Sequence, residues 1–226
     1  MEKMLIATDF DGTLYRGGEI DDGTRRAIDR WRAAGRLFGV VTGRGRDFYD
    51  TALSLGLPFD YLIVCTGCLL LAPDGRVLRE FLIPPETFAA LEAALSAFAD
   101  LTYCSKSDGL PRHHLYATFP SAGRALEVRQ ALLPAFGDRV SIHVNGPHIN
   151  IGAAGTGKTE GVGLILRHFA LPADAAAVVG DDYNDLDMLL AYHGWAVTSG
   201  QPDVVRRAPH RCESVGSLIS ALLETP

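Results

Sequence analysis

Ile6-Ala7-Thr8-Asp9-Phe10-Asp11-Gly12-Thr13-Leu14 is a short apolar run that delivers two carboxylates into a glycine turn. A regular strand would not continue through that turn, so the run reads as a buried strand ending at a loop. Alternate side chains on a strand share a face, which puts Asp9 and Asp11 on one side of the strand's C-terminal edge. Two like charges that close are costly unless a cation or a shared proton offsets them. A solvated turn would also suit Asp-x-Asp-Gly, so the choice depends on what the remaining chain brings to this edge.

The surrounding sequence has a repeating β-α rhythm. Asp21 or Asp22 caps a helix with apolar positions at Ala27, Ile28, Trp31 and Ala34, stopped by Gly35. Leu37 to Val41 is a second buried strand that delivers Thr42-Gly43-Arg44 into a loop. A helix over Asp47 to Leu55 and a third strand, Tyr61 to Val64, follow. This alternation predicts a parallel sheet covered on both faces.

Past Leu69 the pattern changes. Leu69 to Glu80 reads as a hairpin about Pro73-Asp74-Gly75, and Pro84-Pro85 starts a helix with Phe88, Leu91, Leu95 and Phe98 on one stripe. Strands at Leu101 to Ser105 and His113 to Phe119, a helix over Ala122 to Leu133, and strands at Val140 to Asn145 and His148 to Ile151 make a small antiparallel α+β insert of roughly 70 residues. The β-α rhythm returns with a helix over Lys158 to Phe169 and a strand over Ala175 to Val179 that runs into Gly180-Asp181-Asp182-Tyr183-Asn184-Asp185. A helix, a short strand at Trp195 to Val197, a helical Asp203 to Arg207 and a last helix over Val215 to Leu223 complete the chain. The parallel unit is therefore split, at 1–81 and 152–226, around an insert at 82–151.

Composition narrows the function. A chain of 226 residues, 47% hydrophobic and 21% charged, has an ordinary globular balance. A formal net charge of -6 argues against a nucleic-acid surface, which needs a basic footprint. No secretory-type segment precedes the first strand, and the longest apolar run, Leu62 to Ala72, is broken by Thr66-Gly67 and falls short of the roughly 20 residues that span a bilayer. A cytoplasmic protein without a membrane partner is expected, as a monomer or homodimer. Cys65-Thr66-Gly67-Cys68 is formally a C-x-x-C, but a redox pair opens a helix and a zinc site needs a second close pair; strand and turn residues follow this one, and buried thiols are common in cores.

Ligands of an open parallel sheet bind beyond the carboxyl ends of its strands. Asp9 with Asp11, then Thr42, then Asp181 with Asp182 and Asp185 all fall at such ends. Clustered carboxylates favour a hard cation, with Mg²⁺ the default where phosphate is handled. Lys158, opening a helix, is placed to neutralise remaining charge. In D-F-D-G-T at 9–13, V-T-G-R at 41–44, Lys158 and G-D-D-Y-N-D-L-D-M-L at 180–189, the chain resembles the haloacid dehalogenase superfamily of phosphohydrolases. The insert after the third strand, and A-V-T-S-G-Q-P-D-V-V at 196–205, look like the Cof-like (IIB) branch with its type II cap.

The resemblance implies an α/β fold, a Rossmann-like parallel sheet core with an inserted small α+β cap domain. It implies Asp9 as the nucleophile that becomes a phosphoaspartate and Asp11 as the proton carrier. Asp9, the Asp11 carbonyl and Asp181 would hold Mg²⁺, with Asp185 as an orienting group or further metal ligand. Thr42 and Gly43 would bind phosphoryl oxygens, Lys158 would balance charge, and Asn184 would support phosphate or lysine. An acid at position 11 separates turnover from a stalled phosphoenzyme, so hydrolysis of a small phosphorylated metabolite is expected, with phosphoglycolate or a sugar phosphate as candidate. A sugar phosphomutase is the nearest alternative. Leaving-group contacts are expected from the cap, from Arg112, His113, His114, His148 and Asn150, the two adjacent histidines facing opposite sides; Arg44 and Arg46 are candidates for an anionic substrate. The branch often carries Asn-Gly where this chain has Thr66-Gly67.

Gly152-Ala153-Ala154-Gly155-Thr156-Gly157-Lys158-Thr159 also matches G-x-x-x-x-G-K-[ST] after a predicted strand. A P-loop NTPase reading competes on that ground. It leaves the Asp9 cluster unexplained and only about 45 residues beyond Asp181 for the rest of a sheet.

Overall fold

In the computed structural model, which describes residues 2–105 and 112–224, the opening apolar run becomes β1 (Leu5–Thr8), buried along its whole length. Its side chains alternate between two apolar layers, Ile6 on one face and Leu5 and Ala7 on the other. Burying each Leu or Ile stabilises the fold by about 1.5–3 kcal/mol relative to leaving it exposed. Along the chain follow α1 (Asp22–Ala33), β2 (Leu37–Val41), α2 (Phe48–Ser54), β3 (Tyr61–Val64), β4 (Leu69–Leu71) and β5 (Val77–Glu80). Asp21 caps α1 by accepting a hydrogen bond from the Thr24 N–H at 2.8 Å, which satisfies one of the helix's unpaired donors.

The next segment is α3 (Pro85–Ser96), β6 (Tyr103–Cys104), β7 (His114–Thr118), α4 (Ala122–Phe136), β8 (Val140–Asn145) and β9 (His148–Ala153). The chain ends with α5 (Lys158–His168), β10 (Ala176–Gly180), α6 (Leu186–Ala191), β11 (Trp195–Val197), α7 (Pro202–Arg207), β12 (His210–Cys212) and α8 (Val215–Glu224).

Among the described residues there are two sheets. The larger has eight strands in the order β12-β11-β10-β1-β2-β3-β4-β5, parallel from β12 through β3 and closed by the antiparallel hairpin β4–β5. Residues of α1, α2 and α8 pack one face; residues of α5, α6 and α7 pack the other. The smaller sheet is antiparallel, in the order β6-β7-β9-β8. Its apolar face, with Leu115, Ala117, Ile149 and Ile151, forms a separate core with Phe88 and Leu91 of α3 and Val128 and Leu132 of α4. This is a Rossmann-like α/β core with a small α+β cap.

Two local expectations need correction. The helix expected to stop at Leu133 continues to Phe136 through Pro134. Pro134 lies in the last turn, where the helix loses a single amide donor; buried Phe136 and the Gly137 N–H bond to the Leu133 carbonyl at 2.9 Å hold the extra turn. The strand β12 was not anticipated, because His210-Arg211-Cys212 at a sheet edge is largely exposed and carries no apolar run.

Candidate active site

The central strand β1 and its neighbours β2 and β10 all end at one edge of the large sheet, and the side chains beyond those ends meet there. The Asp9 N–H still bonds to the Val179 carbonyl at 2.9 Å, so the ladder carries Asp9 to the edge in a fixed register. Gly12 then turns the chain with φ +81; a Cβ there would lie 2.4 Å from Asp181 Oδ2. Only glycine satisfies both the left-handed backbone and that close approach.

Lys158, the first residue of α5, is buried and spans two carboxylates. Its Nζ donates to Asp9 Oδ1 and to Asp185 Oδ1, each at 2.6 Å. Burial pulls the ammonium down, but Asp185 and Asp9 outweigh it and hold the Lys158 pKa above its ordinary value. Burial raises Asp9 well above the usual carboxylate range; Lys158 opposes this, while Asp185 and Asp181 add to it. The two directions agree physically, since one ammonium among three carboxylates keeps its own proton and leaves excess negative charge on the acids.

Asp185 has both oxygens engaged, Oδ1 by Lys158 and Oδ2 by the N–H groups of Asp181 at 3.0 Å and Asp182 at 3.3 Å. Asp181 accepts from Thr13 Oγ1 at 2.6 Å, and burial, with Asp185 and Asp182 adding, pushes its pKa up to about 6 despite that bond. Oxygens of Asp9, Asp181 and Asp185 lie within 4.8 Å of one another. An all-oxygen, electron-rich donor set of this kind fits a hard divalent cation.

A cavity of about 770 Å³ opens over this cluster. On the core side Asp9, Asp11, Thr42, Gly43, Asp181 and Asn184 line it, together with Arg44 and Arg46. On the cap side it meets Arg112, His113, His114, His148 and Asn150. The Thr42 Oγ1 accepts from the Arg44 N–H at 3.1 Å, which fixes the loop after β2. Asp11 is half-exposed, apart from the carboxylate cluster, and takes a bidentate pair from Arg44 at 2.8 and 2.7 Å. Arg44 also lies 5.0 Å over the Phe10 ring. The sequence singled out both residues but gave no sign of this pairing, because it joins two loops 33 positions apart.

The adjacent cap histidines, expected on opposite sides of a strand, both border the cavity but take different partners, and β7 begins only at His114. His113 meets Glu80 at 2.9 Å and His114 meets Asn150 at 2.8 Å. Tyr103, Tyr116 and Asn145 are among the lining residues that escaped the sequence reading. The period-2 pattern His114-Leu115-Tyr116-Ala117-Thr118 was the available signal for Tyr116, since it places that ring on the same side as His114.

The P-loop reading fails on geometry. β9, which leads into the glycine run, is antiparallel to both β7 and β8 rather than part of the parallel sheet, and Lys158 reaches across to Asp9 and Asp185 instead of over its own loop. The C-x-x-C is a short 3-10 turn in which both thiols are buried. Burial pushes Cys65 far up and Cys68 up, and Cys68 Sγ lies 3.1 Å from Thr156 Oγ1; neither is a ready thiolate.

Several solved structures share this fold. They include a phosphatase of the haloalkanoate superfamily from Bacteroides thetaiotaomicron (20% identity, TM-score 0.81, 98% of this chain and 94% of that one). A haloacid dehalogenase-like hydrolase from B. subtilis superposes with a TM-score of 0.84 at 14% identity, covering 99% of this chain and 100% of that one. A subclass IIB sugar phosphatase gives 0.80 at 18% identity over 98% of each chain. No curated protein gives a match. The family model of haloacid dehalogenase-like hydrolases matches residues 6–110 and 105–217. Spanning the sequence from β1 into α8, that match shows that the chain belongs to the haloacid dehalogenase-like hydrolase family.

Proposed function

We propose that the protein is a Mg²⁺-dependent phosphatase that hydrolyses the phosphomonoester of a small metabolite, a sugar phosphate or phosphoglycolate, through a phosphoaspartyl intermediate on Asp9. The observation that carries this reading is the buried Asp9, held by Lys158 at 2.6 Å on the floor of a cavity large enough for a metabolite. The family is one of hydrolases, and a fold neighbour is a sugar phosphatase.

Asp9 attacks phosphorus, forming an O–P bond as the ester's P–O bond breaks, and Asp11 gives its proton to the departing alkoxide. Water then attacks the phosphoaspartate, returns a proton to Asp11 and frees Asp9 and inorganic phosphate. Lys158 orients Asp9 through Oδ1 and offsets its charge. Thr42 and the Gly43 N–H donate to phosphoryl oxygens, and Asn184 supports them from the β10 side. Arg44 holds both Asp11 oxygens between turnovers and must release one for proton transfer, since each is engaged by the guanidinium.

Asp9 and Asp181, with the Asp11 main-chain carbonyl, would hold Mg²⁺, which supplies charge neutralisation between an anionic nucleophile and an anionic ester. Asp185 orients this set rather than binding directly, because both of its oxygens are already hydrogen-bonded. Arg112, His148 and Asn150 face the leaving group from the cap. The same reading has the enzyme act in the cytoplasm, as a monomer or homodimer, without a nucleic-acid or membrane partner; among the described residues no helix is long and apolar enough to cross a membrane.

Phosphate release from a panel of phosphorylated metabolites, with and without Mg²⁺, tests the reading. Asp9→Asn should lower kcat by at least about a thousandfold; release that persists in this variant would overturn it.

A further inference from the structure

The two faces of the cap sheet differ in chemistry. The face opposite its apolar core carries His114, Tyr116 and Thr118 on β7, paired in register with Gly152, Asn150 and His148 on β9. On β8 the same register adds Ser141, His143 and Asn145. Among the described residues this face holds no carboxylate and no lysine, and its His114, Tyr116, His148, Asn150 and Asn145 line the cavity. Burial pushes His114 down to about 4 and lowers His148 and His143 as well, so these three rings are uncharged near neutral pH.

The rings on this wall are ordered. Tyr116 and His148 stack at 5.2 Å with an interplanar angle of 27°, and the Tyr116 hydroxyl lies 2.6 Å from His148 Nδ1. An Nδ1 that accepts from this hydroxyl puts the ring proton on Nε2, making that atom a donor. Next to them stands Tyr103, 6.0 Å from Tyr116, on the cavity wall yet 56% exposed. An exposed tyrosine beside a stacked pair offers a flat apolar surface with hydrogen-bonding groups around it, the requirement for holding a planar heterocycle.

Charge and size narrow the choice. Among the described residues lining the cap side, Arg112 is the one guanidinium, and it lies 5.8 Å over the Phe88 ring. Among the described residues, a second anionic group on the substrate would meet that single charge and an otherwise neutral wall. The cavity, about 770 Å³, falls within the range that takes whole cofactor-sized ligands and far exceeds what a two-carbon ester fills.

We propose that Tyr103, Tyr116 and His148 form a subsite for an uncharged planar heterocycle, so that the substrate is a sugar phosphate bearing such a ring, the chemistry of a nucleoside monophosphate. This rests on the phosphatase reading and narrows it: the sugar phosphate sits over Asp9 while the heterocycle stacks against Tyr103 and meets His148 Nε2 and Asn145 at its edge.

The test compares kcat/KM for purine and pyrimidine nucleoside 5′-monophosphates with that for ribose 5-phosphate, the same sugar phosphate without the ring, and for phosphoglycolate. The nucleotides should exceed ribose 5-phosphate by about tenfold or more. Tyr103→Ala should collapse that ratio by a similar factor, and Tyr103→Phe, which keeps the ring, should preserve it; thermal melting confirms that each variant folds. A ribose 5-phosphate or phosphoglycolate rate equal to or above that of the nucleotides, or a ratio unchanged in Tyr103→Ala, would overturn the subsite while leaving the phosphatase reading intact. Absence of turnover of every ester, p-nitrophenyl phosphate included, or activity retained in Asp9→Asn, would overturn the phosphatase reading and the subsite with it.

Discussion

Lys158 is the residue on which the site's electrostatics turn. It is buried, and its ammonium lies 2.6 Å from each of two buried carboxylates. Removing one partner from such a cluster leaves uncompensated buried charge, at a cost of about 3–5 kcal/mol. Lys158→Met should therefore lower the unfolding free energy measured by denaturant titration by about 3–5 kcal/mol, as well as abolish turnover. The double variant Lys158→Met/Asp185→Asn should recover part of the loss, because it removes one of the stranded charges. Equal destabilisation in the single and double variants would show that the cost is packing rather than charge. Arg44 is the contrasting case, an exposed cation whose pairing with Asp11 concerns proton availability more than stability.

At the scale of elements, the strand ends were legible and the side-chain pairings were not. Asp9, Thr42, Lys158 and Asp181 stand out because each follows or opens an element whose apolar period is plain in the sequence, and such positions collect at one sheet edge. The hydrogen bond from Thr13 to Asp181 and the pairing of Arg44 with Asp11 depend on how turns from distant segments meet. Tyr103 was missed although a strand was expected over Leu101 to Ser105, because that stretch has no apolar alternation to say which side its residues face, and only Tyr103–Cys104 pair as β6. β12 was missed because its exposed polar residues pair only through their backbone.

The cap sheet also gives a pH dependence with a definite sign. Burial lowers His114 from 6.5 to about 4, so between these values the unfolded chain binds more protons than the folded one. Its contribution is intact above pH 6.5 and is lost as pH falls toward 4. Thermal melting across this window should show a shallower decline in His114→Gln than in the natural chain. An identical decline would place the acid sensitivity elsewhere.

At the scale of the whole molecule, core and cap meet around a single electron-rich floor. The carboxylates of Asp9 and Asp181 are both raised by burial and by neighbouring acids. A divalent cation that binds only the folded state relieves this repulsion and stabilises by mass action, about 2.7 kcal/mol at a hundred times its Kd. Mg²⁺ titration should therefore raise Tm in the natural chain and leave it flat in Asp9→Asn/Asp181→Asn. A rise in both would assign the effect to weak surface binding.

Covalent catalysis by Asp9 should show itself as a pre-steady-state burst. In Asp11→Asn with p-nitrophenyl phosphate, the activated leaving group needs little protonation, whereas the water that clears the phosphoenzyme loses its base. The expected result is a burst of one p-nitrophenol per active site, followed by slow turnover, with a phosphoryl group on the peptide carrying Asp9 after acid quench. Linear release without a burst, together with a phosphoryl group on another residue or on none, would contradict it.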